Sequence, residues 1–191
     1  MSSPGPSATR RPRADAARNR AALVDAARTA FTTAGEDASL EAVARAAGVG
    51  IGTLYRNFPT REDLVAAVYG AELDAVLATV DALVASAPAD RALRAFADRY
   101  ARFVAAKRGM AETVRVGALR GAAETVHTRD RVNAAVQRFL DAGASDGTLR
   151  DDVVADDVTA ALIGVLLSTR DTTDPEQTGR LLDIVVGGLR A

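Results

Sequence analysis

The stretch 39-SLEAVARAAGVGIGTLYRNFPTREDL-64 decides the reading of this chain. Its first half places Leu40, Val43, Ala44 and Ala47 three and four residues apart, the stripe of a short amphipathic helix. Ser39 stands just ahead of that stripe, where a side-chain oxygen can accept backbone N–H groups that a helix start leaves unpaired. Glu41 falls in the first turn, where negative charge meets the positive end of the helix dipole. Gly48 stops the helix, and Gly48-Val49-Gly50 supplies a tight connection with one apolar plug. Ile51 to Asn57 then offers a second helix about two turns long. Leu54 and Phe58 repeat four residues apart and mark its buried side, leaving Ile51, Gly52, Thr53, Arg56 and Asn57 outward. Thr60 and Asp63 have capping-box spacing, so a further helix starts at once. Two short helices joined by a glycine turn have the shape that lays a helix in the major groove of DNA.

The outward residues suit base edges. Arg56 can make a bidentate contact with guanine and Asn57 can address adenine, or either can hold a phosphate instead; Thr53 and Ile51 can touch a thymine methyl.

In detail, Ala44-Arg45-Ala46-Ala47-Gly48-Val49, Thr53-Leu54-Tyr55-Arg56-Asn57-Phe58 and Pro59-Thr60-Arg61-Glu62-Asp63-Leu64 resemble the signature of the TetR (tetracycline-repressor) family of transcriptional regulators. The resemblance implies an all-α fold with an N-terminal three-helix helix-turn-helix DNA-binding domain and a C-terminal helical domain for effector binding and dimerisation, about nine helices in all. It also implies phosphate contacts from Ser39 and Leu40 at the start of helix two, from the Tyr55 hydroxyl, and from Arg61, where family members often carry lysine. Gly50 departs from the pattern, since many relatives carry Ser or Thr there. The helix thereby loses a capping hydroxyl, a cost of about a few tenths of a kcal/mol, and with it a phosphate contact.

Composition agrees. A chain of 191 residues with 48% apolar and only 4% aromatic residues, rich in Ala, Leu, Val and Arg, reads as helical with enough apolar surface for a core. It has no cysteine, which excludes disulfides, thiolate zinc sites and cysteine nucleophiles. No run approaches the roughly 18 apolar residues of a membrane span and no secretory leader is evident, so the expected location is the cytoplasm. The net charge of −1 conceals an asymmetry: residues 1–64 carry nine arginines against seven acidic residues, and the remainder is acidic by three. A modestly basic end on an acidic body suits a protein that meets phosphate at one end.

Punctuation sets the expected organisation. Residues 1–15, rich in Ser, Pro and Arg, read as a disordered basic tail, whose Arg10, Arg11 and Arg13 either enter the minor groove as an arm or stay solvated. The DNA-binding domain spans 16–64 with its motif at 39–58, and the effector and dimerisation domain spans 65–191. Helix one runs over about 16–33, and the helix after Thr60 continues to about 85. Later helices are expected over about 92–106, a shorter segment over 110–119, one through Val132 and Phe139, and two at about 154–169 and 175–190. Asp174-Pro175-Glu176-Gln177 is a start signal for the last, with Asp as cap, Pro at the first position and Gln reciprocating.

Those last two helices carry apolar residues over more than one face. Leu162, Val165, Leu166, Leu182, Val185, Val186 and Leu189 are therefore the expected interface of a four-helix homodimer contact, against the plainer alternative of central helices in a monomer. Phe96, Arg99, Tyr100, Phe103, Met110, Val114, His127 and Phe139 are the candidate lining of an effector pocket, with plain core or surface as the alternative for each.

Enzymatic readings lack their parts. Gly48-Val49-Gly50-Ile51-Gly52 follows a helix, not a strand, so it is turn chemistry rather than a dinucleotide loop. His127 is the one histidine, with Glu124 and Asp130 at helical spacing but no nucleophile and too few ligands for a metal. The sequence thus predicts a non-enzyme without cofactor: a repressor released by a small molecule, its partners being double-stranded operator DNA, the effector and a second copy. The competing reading is a helical small-molecule-binding or scaffold protein that does not touch DNA.

Overall fold

The computed structural model describes residues 10–108 and 121–191. They form helices α1 (Arg10–Ala34), α2 (Leu40–Ala46), α3 (Ile51–Asn57), α4 (Arg61–Leu77), α5 (Val80–Ser86), α6 (Ala89–Arg108), α7 (Gly121–Asp146), α8 (Ala155–Ser168) and α9 (Gln177–Gly187), with a 3-10 turn at Gly35–Asp37. Among the described residues the sole β pairing is an isolated bridge between Leu149 and Arg190. The expected segment 110–119 lies outside the described residues.

Two compact units divide between Ala71 and Glu72, seven residues past the boundary expected after Leu64. The reason is that α4 inserts Leu64, Val65 and Val68 into the first core. In that core, Leu23, Ala27 and Phe31 of α1 recur every four residues and meet Val43 and Ala44 of α2 and Leu54 and Phe58 beside them. Helix α1 starts at Arg10, so residues 10–15 of the expected tail are helical. Pro12 permits this because it falls in the first turn, where backbone N–H groups have no partner within the helix and a missing one costs no bond.

In the second unit the apolar faces of α6 to α9 converge. Leu93, Phe96 and Tyr100 of α6 pack with Val132, Val136 and Phe139 of α7, Leu162 and Leu166 of α8, and Leu182 and Val186 of α9. The helix expected to continue to about residue 85 instead breaks after Leu77. Thr79 turns both its backbone N–H (3.1 Å) and its hydroxyl (2.7 Å) to the Val76 carbonyl, replacing the four-residue ladder with a three-residue turn. Arg94 ties α6 to α9, donating to Asp183 at 2.5 Å and to the Gly179 carbonyl at 3.1 Å.

Helix α7 is followed at once by Gly147, whose φ of +74° glycine adopts without a Cβ penalty, and Thr148 N–H returns to the Gly143 carbonyl at 3.0 Å. The start signal for α9 works in part. Asp174 Oδ1 accepts the Glu176 N–H at 2.9 Å, but the helix proper begins at Gln177, whose side chain takes the Thr172 hydroxyl instead of reciprocating.

Candidate nucleic-acid interface

The turn between α2 and α3 is a six-residue closure built on one glycine. Gly48 adopts φ +70°; its N–H bonds the Arg45 carbonyl at 3.1 Å, and the Val49 N–H reaches back to Ala44 at 3.0 Å. This double bond pattern satisfies the carbonyls at the end of α2 and sets the angle at which α3 departs. Ser39 caps α2 as its position implies, its Oγ accepting the Ala42 N–H at 3.3 Å while donating to Glu41 at 2.8 Å. That hydroxyl, followed by the residue's own backbone N–H, holds the Glu41 carboxyl below its ordinary value. At the start of α4, Thr60 and Asp63 complete the reciprocal box, each backbone N–H meeting the other's side-chain oxygen at 3.1 Å.

Helix α3 begins at Ile51, behind an N-cap, Gly50, that has no side chain to cap it. The Thr53 N–H bonds the Gly50 carbonyl at 2.8 Å, where the equivalent N–H of α2 finds the Ser39 hydroxyl. Leu54 and Phe58 are buried, while Ile51 is 38% and Tyr55 47% exposed, one helical turn apart. Arg56 leans on Thr53, donating to its hydroxyl at 2.9 Å. Asn57 differs from expectation: its side-chain amide bonds the Thr53 carbonyl at 2.8 Å, closing the last turn of its own helix. Arg61 is likewise engaged, donating to the carbonyls of Ala38 (2.6 Å) and Gly35 (3.3 Å) with its guanidinium 5.0 Å from the Phe31 ring centroid. Asn57 thus closes α3, and Arg61 ties the start of α4 to the segment ahead of α2. A residue that sequence reasoning passed over is Arg20, which lies 4.3 Å from the Phe58 ring centroid and donates to the Asn57 carbonyl at 3.4 Å. Its partners come 37 and 38 residues later in the chain, so no local pattern announces it.

The structure thus gathers Ile51, Gly52, Thr53, Tyr55, Arg56 and Asn57 on one seven-residue helix, with Ser39 and Leu40 opening α2 and Arg61 opening α4. Arg10, Arg11 and Arg13 lie on the first turns of α1.

The candidate effector residues that the structure describes fall in core and surface positions. Phe96, Tyr100 and Phe139 are packed together in the core, with ring centroids 6.2 Å apart for Phe96 and Tyr100 and 5.3 Å for Phe96 and Phe139. Helical spacing brings such rings onto one face, and in a helical bundle that face finds its neighbours before it finds a guest. Burial pushes the Tyr100 phenol up, partly offset by the charge of Arg129. Phe103 and Arg99 are half-buried and His127 is exposed; Met110, Val114 and the Glu124 side chain lie outside the described residues. A cleft of about 570 Å³ lies elsewhere, lined by Asp98, Arg102, Leu166, Glu176, Arg180 and Asp183 among others. Among the described residues no cluster of His, Cys, Asp and Glu is placed to hold a metal, and no helix is long and apolar enough to cross a membrane.

The expected interface residues also divide. Leu162, Leu166, Leu182 and Val186 are buried in the core of their own protomer, and Val165, Val185 and Leu189 are half-buried against it. The large apolar side chains that α8 and α9 leave to solvent are Leu167, 63% exposed, and Ile184, 69% exposed.

Two helical units, one carrying a helix-turn-helix with its second helix held outward, define a DNA-binding regulator. Residues 23–68 match the model of the tetR family of bacterial regulatory proteins, and residues 87–191 match that of the SbtR-like transcriptional regulator C-terminal domain. The chain belongs to the TetR family of transcriptional regulators. It is 40% identical to the TetR transcriptional regulator SCO0520 of Streptomyces coelicolor, over 90% of this chain and 98% of that one, with a TM-score of 0.71. The TetR transcription regulatory protein of Mycobacterium vanbaalenii is 29% identical, covering 94% and 99%, with a TM-score of 0.67. A transcriptional regulator of Cytophaga hutchinsonii shares the fold at 16% identity, covering 88% and 97%, with a TM-score of 0.72. No curated protein matches the chain.

Proposed function

We propose that this regulator is a repressor that seats on a palindromic operator as a homodimer and is released by a small molecule. The observation that carries the reading is the outer face of α3. Buried Leu54 and Phe58 fix the helix to the domain, while Ile51 and Tyr55 stay open to solvent beside Arg56. An isoleucine, a tyrosine and an arginine on one short exposed face match what a groove offers: thymine methyls, phosphate oxygens and the acceptor edge of guanine. In this reading Ile51 and Thr53 meet methyl groups, Arg56 takes a base or a phosphate, and Tyr55 gives its hydroxyl to a phosphate. Gly50 and Gly52 let backbone approach closely, and Ser39 and Leu40 present the start of α2 to the opposite strand. Arg61 and Asn57 have only the donors left over from the carbonyls they now hold to offer to DNA.

A helix of seven residues reads few base pairs, so specificity calls for two copies about 34 Å apart on successive turns of the duplex. The exposed Leu167 and Ile184, with Gly164, Gly187 and Gly188 exposed on the same helices or at their end, support a two-fold contact through α8 and α9. Effector control then requires that the ligand prefer the state with the wrong head spacing. A hundredfold loss of operator affinity corresponds to about 2.8 kcal/mol of differential binding. The cleft beside α6 and α9 offers space for such a molecule.

Mobility shifts at stated salt, with duplexes selected from a randomised library, test the reading. The protein is expected to shift a palindromic duplex, and Tyr55→Ala and Arg56→Ala each to weaken it by about fivefold or more. Light scattering is expected to give a dimer that Ile184→Asp dissociates. A dimer that selects no duplex leaves the scaffold reading standing.

A further inference from the structure

We propose that Arg20 of α1 is both a positioning residue for α3 and a phosphate contact, an inference that rests on the DNA-binding reading above. Its guanidinium lies over Phe58, the residue that closes α3, and donates to the carbonyl of Asn57, the last residue of that helix. Arg20 therefore caps the carbonyl end of the reading helix and clamps it to α1. The clamp is exposed to solvent, and among the described residues no carboxylate pairs with it. Its neighbours on the same helix behave differently: Arg18 is paired with Asp15, and Arg28 with Asp25. Arg45 and Arg56, on the two helices of the motif, likewise have no carboxylate partner among the described residues.

An exposed cation placed by a ring and a carbonyl, with no counter-ion among the described residues, is prepared for an anion from outside. Its place says which anion. The carbonyl end of a helix carries roughly half a negative charge, which repels any phosphate that approaches it. A helix lying in a major groove has sugar-phosphate strands near both of its ends. A cation stacked at the carbonyl end of α3 cancels that repulsion and offers its remaining N–H groups to a phosphate oxygen. Arginine performs both tasks because its planar group stacks on the ring while its edge stays free to donate.

The test is the salt dependence of binding, measured by fluorescence anisotropy with the best duplex recovered from the randomised library. Loss of one phosphate contact lowers the slope of log K against log salt by about 0.9 per protomer bound. Arg20→Ala is expected to lower the slope by that amount, Arg20→Lys to keep the slope while weakening affinity, and Arg18→Ala to leave the slope as in the wild type. An Arg20→Ala protein with the wild-type slope, whether its affinity falls or not, overturns the phosphate contact. An equal drop in Arg18→Ala overturns it too, because the slope then follows net charge and not a contact. If the wild-type protein itself shows no salt-dependent selection of a duplex, it is the DNA-binding reading that fails. Circular dichroism of each variant, with helix content as in the wild type, separates lost contacts from lost folding.

Discussion

Replacing Gly50 by serine tests whether the start of α3 is under-capped, and its neighbour α2 supplies the template. Ser39 has φ −75° and ψ 129°, and Gly50 has φ −74° and ψ 151°, so the two caps share a backbone conformation that any residue can adopt. No atom lies within 4 Å of where a Cβ at position 50 would stand. A serine hydroxyl there is expected to take the Thr53 N–H, as Ser39 takes that of Ala42, relieving the three-residue bond to the Gly50 carbonyl. On the N-cap scale serine exceeds glycine by about a few tenths of a kcal/mol and exceeds alanine by about 1. Gly50→Ser should therefore be slightly more stable than the wild type, Gly50→Ala less stable, and the gap between the two variants about 1 kcal/mol. Urea denaturation followed by circular dichroism, with equal m-values as the control for unfolded-state effects, measures that gap. The pair of variants is the decisive comparison, because both lose the same glycine freedom in the unfolded chain and differ in the oxygen alone. Serine and alanine proteins of equal stability would refute the capping argument.

Three further perturbations follow from the same geometry. Gly52→Ala, at an exposed position in the first turn of α3 with no atom near the added methyl, should raise stability by up to about 1 kcal/mol; a urea midpoint at or below that of the wild type refutes the idea that glycine's backbone freedom costs α3 stability there. Gly143→Ala should lose about 1–3 kcal/mol, because its Cβ would stand 2.5 Å from the Cβ of buried Leu149, and adding Leu149→Ala should cost less in that background than alone; strict additivity in the double-mutant cycle refutes the clash. Asp156 accepts from Arg129 (2.7 Å) and Asn133 (2.8 Å), which lower its carboxyl from the ordinary 3.8 to about 2. Since the folded state holds this proton less tightly than the unfolded chain, the stabilisation is present above pH 3.8 and is lost as pH falls through about 2. A carboxyl titration by NMR should therefore show a midpoint near 2 for Asp156, and a midpoint near 3.8 would dissolve the pairing.

What was legible in the sequence is what a few consecutive residues decide among themselves. The Gly48 closure, the Ser39 cap and the Thr60–Asp63 box each bind partners within five positions, so their bonds follow from residue type and spacing with little help from the rest of the chain. The roles of Asn57 and Arg61 were not legible for the same reason in reverse. A polar side chain on an outer face reads as available, yet the amide of Asn57 closes its own helix and Arg61 reaches carbonyls 23 and 26 positions away. The break after Leu77 was hidden because the apolar stripe continues through it, Val76 and Leu77 before the turn and Val80 and Leu83 after it all packing on one core.

The second unit shows why apolar pattern alone misassigns a surface. Leu166 and Leu167 are adjacent, chemically identical and equally good helix formers, yet one is buried and the other stands 63% exposed. A helix turns about 100° per residue, so neighbours in sequence necessarily leave in different directions, and which of them meets the core depends on the rotation of α8 against α6, α7 and α9. Where a helix is apolar on more than one side, hydrophobicity no longer fixes that rotation, and Leu162, Leu166, Leu182 and Val186 read equally well as core or as interface. Thr159 breaks the tie in retrospect. It is fully buried among apolar neighbours, one turn beyond Asp156, on the stripe with Leu162 and Leu166. A polar residue on the inner stripe weakens its periodic signal and lends Gly164, Leu167 and their neighbours the look of an equal second face. The two faces of α8 answer to different requirements, one to the protomer that contains it and the other to whatever meets Leu167 and Ile184. Mutating the exposed pair should therefore leave the monomer folded, whereas mutating the buried set should not.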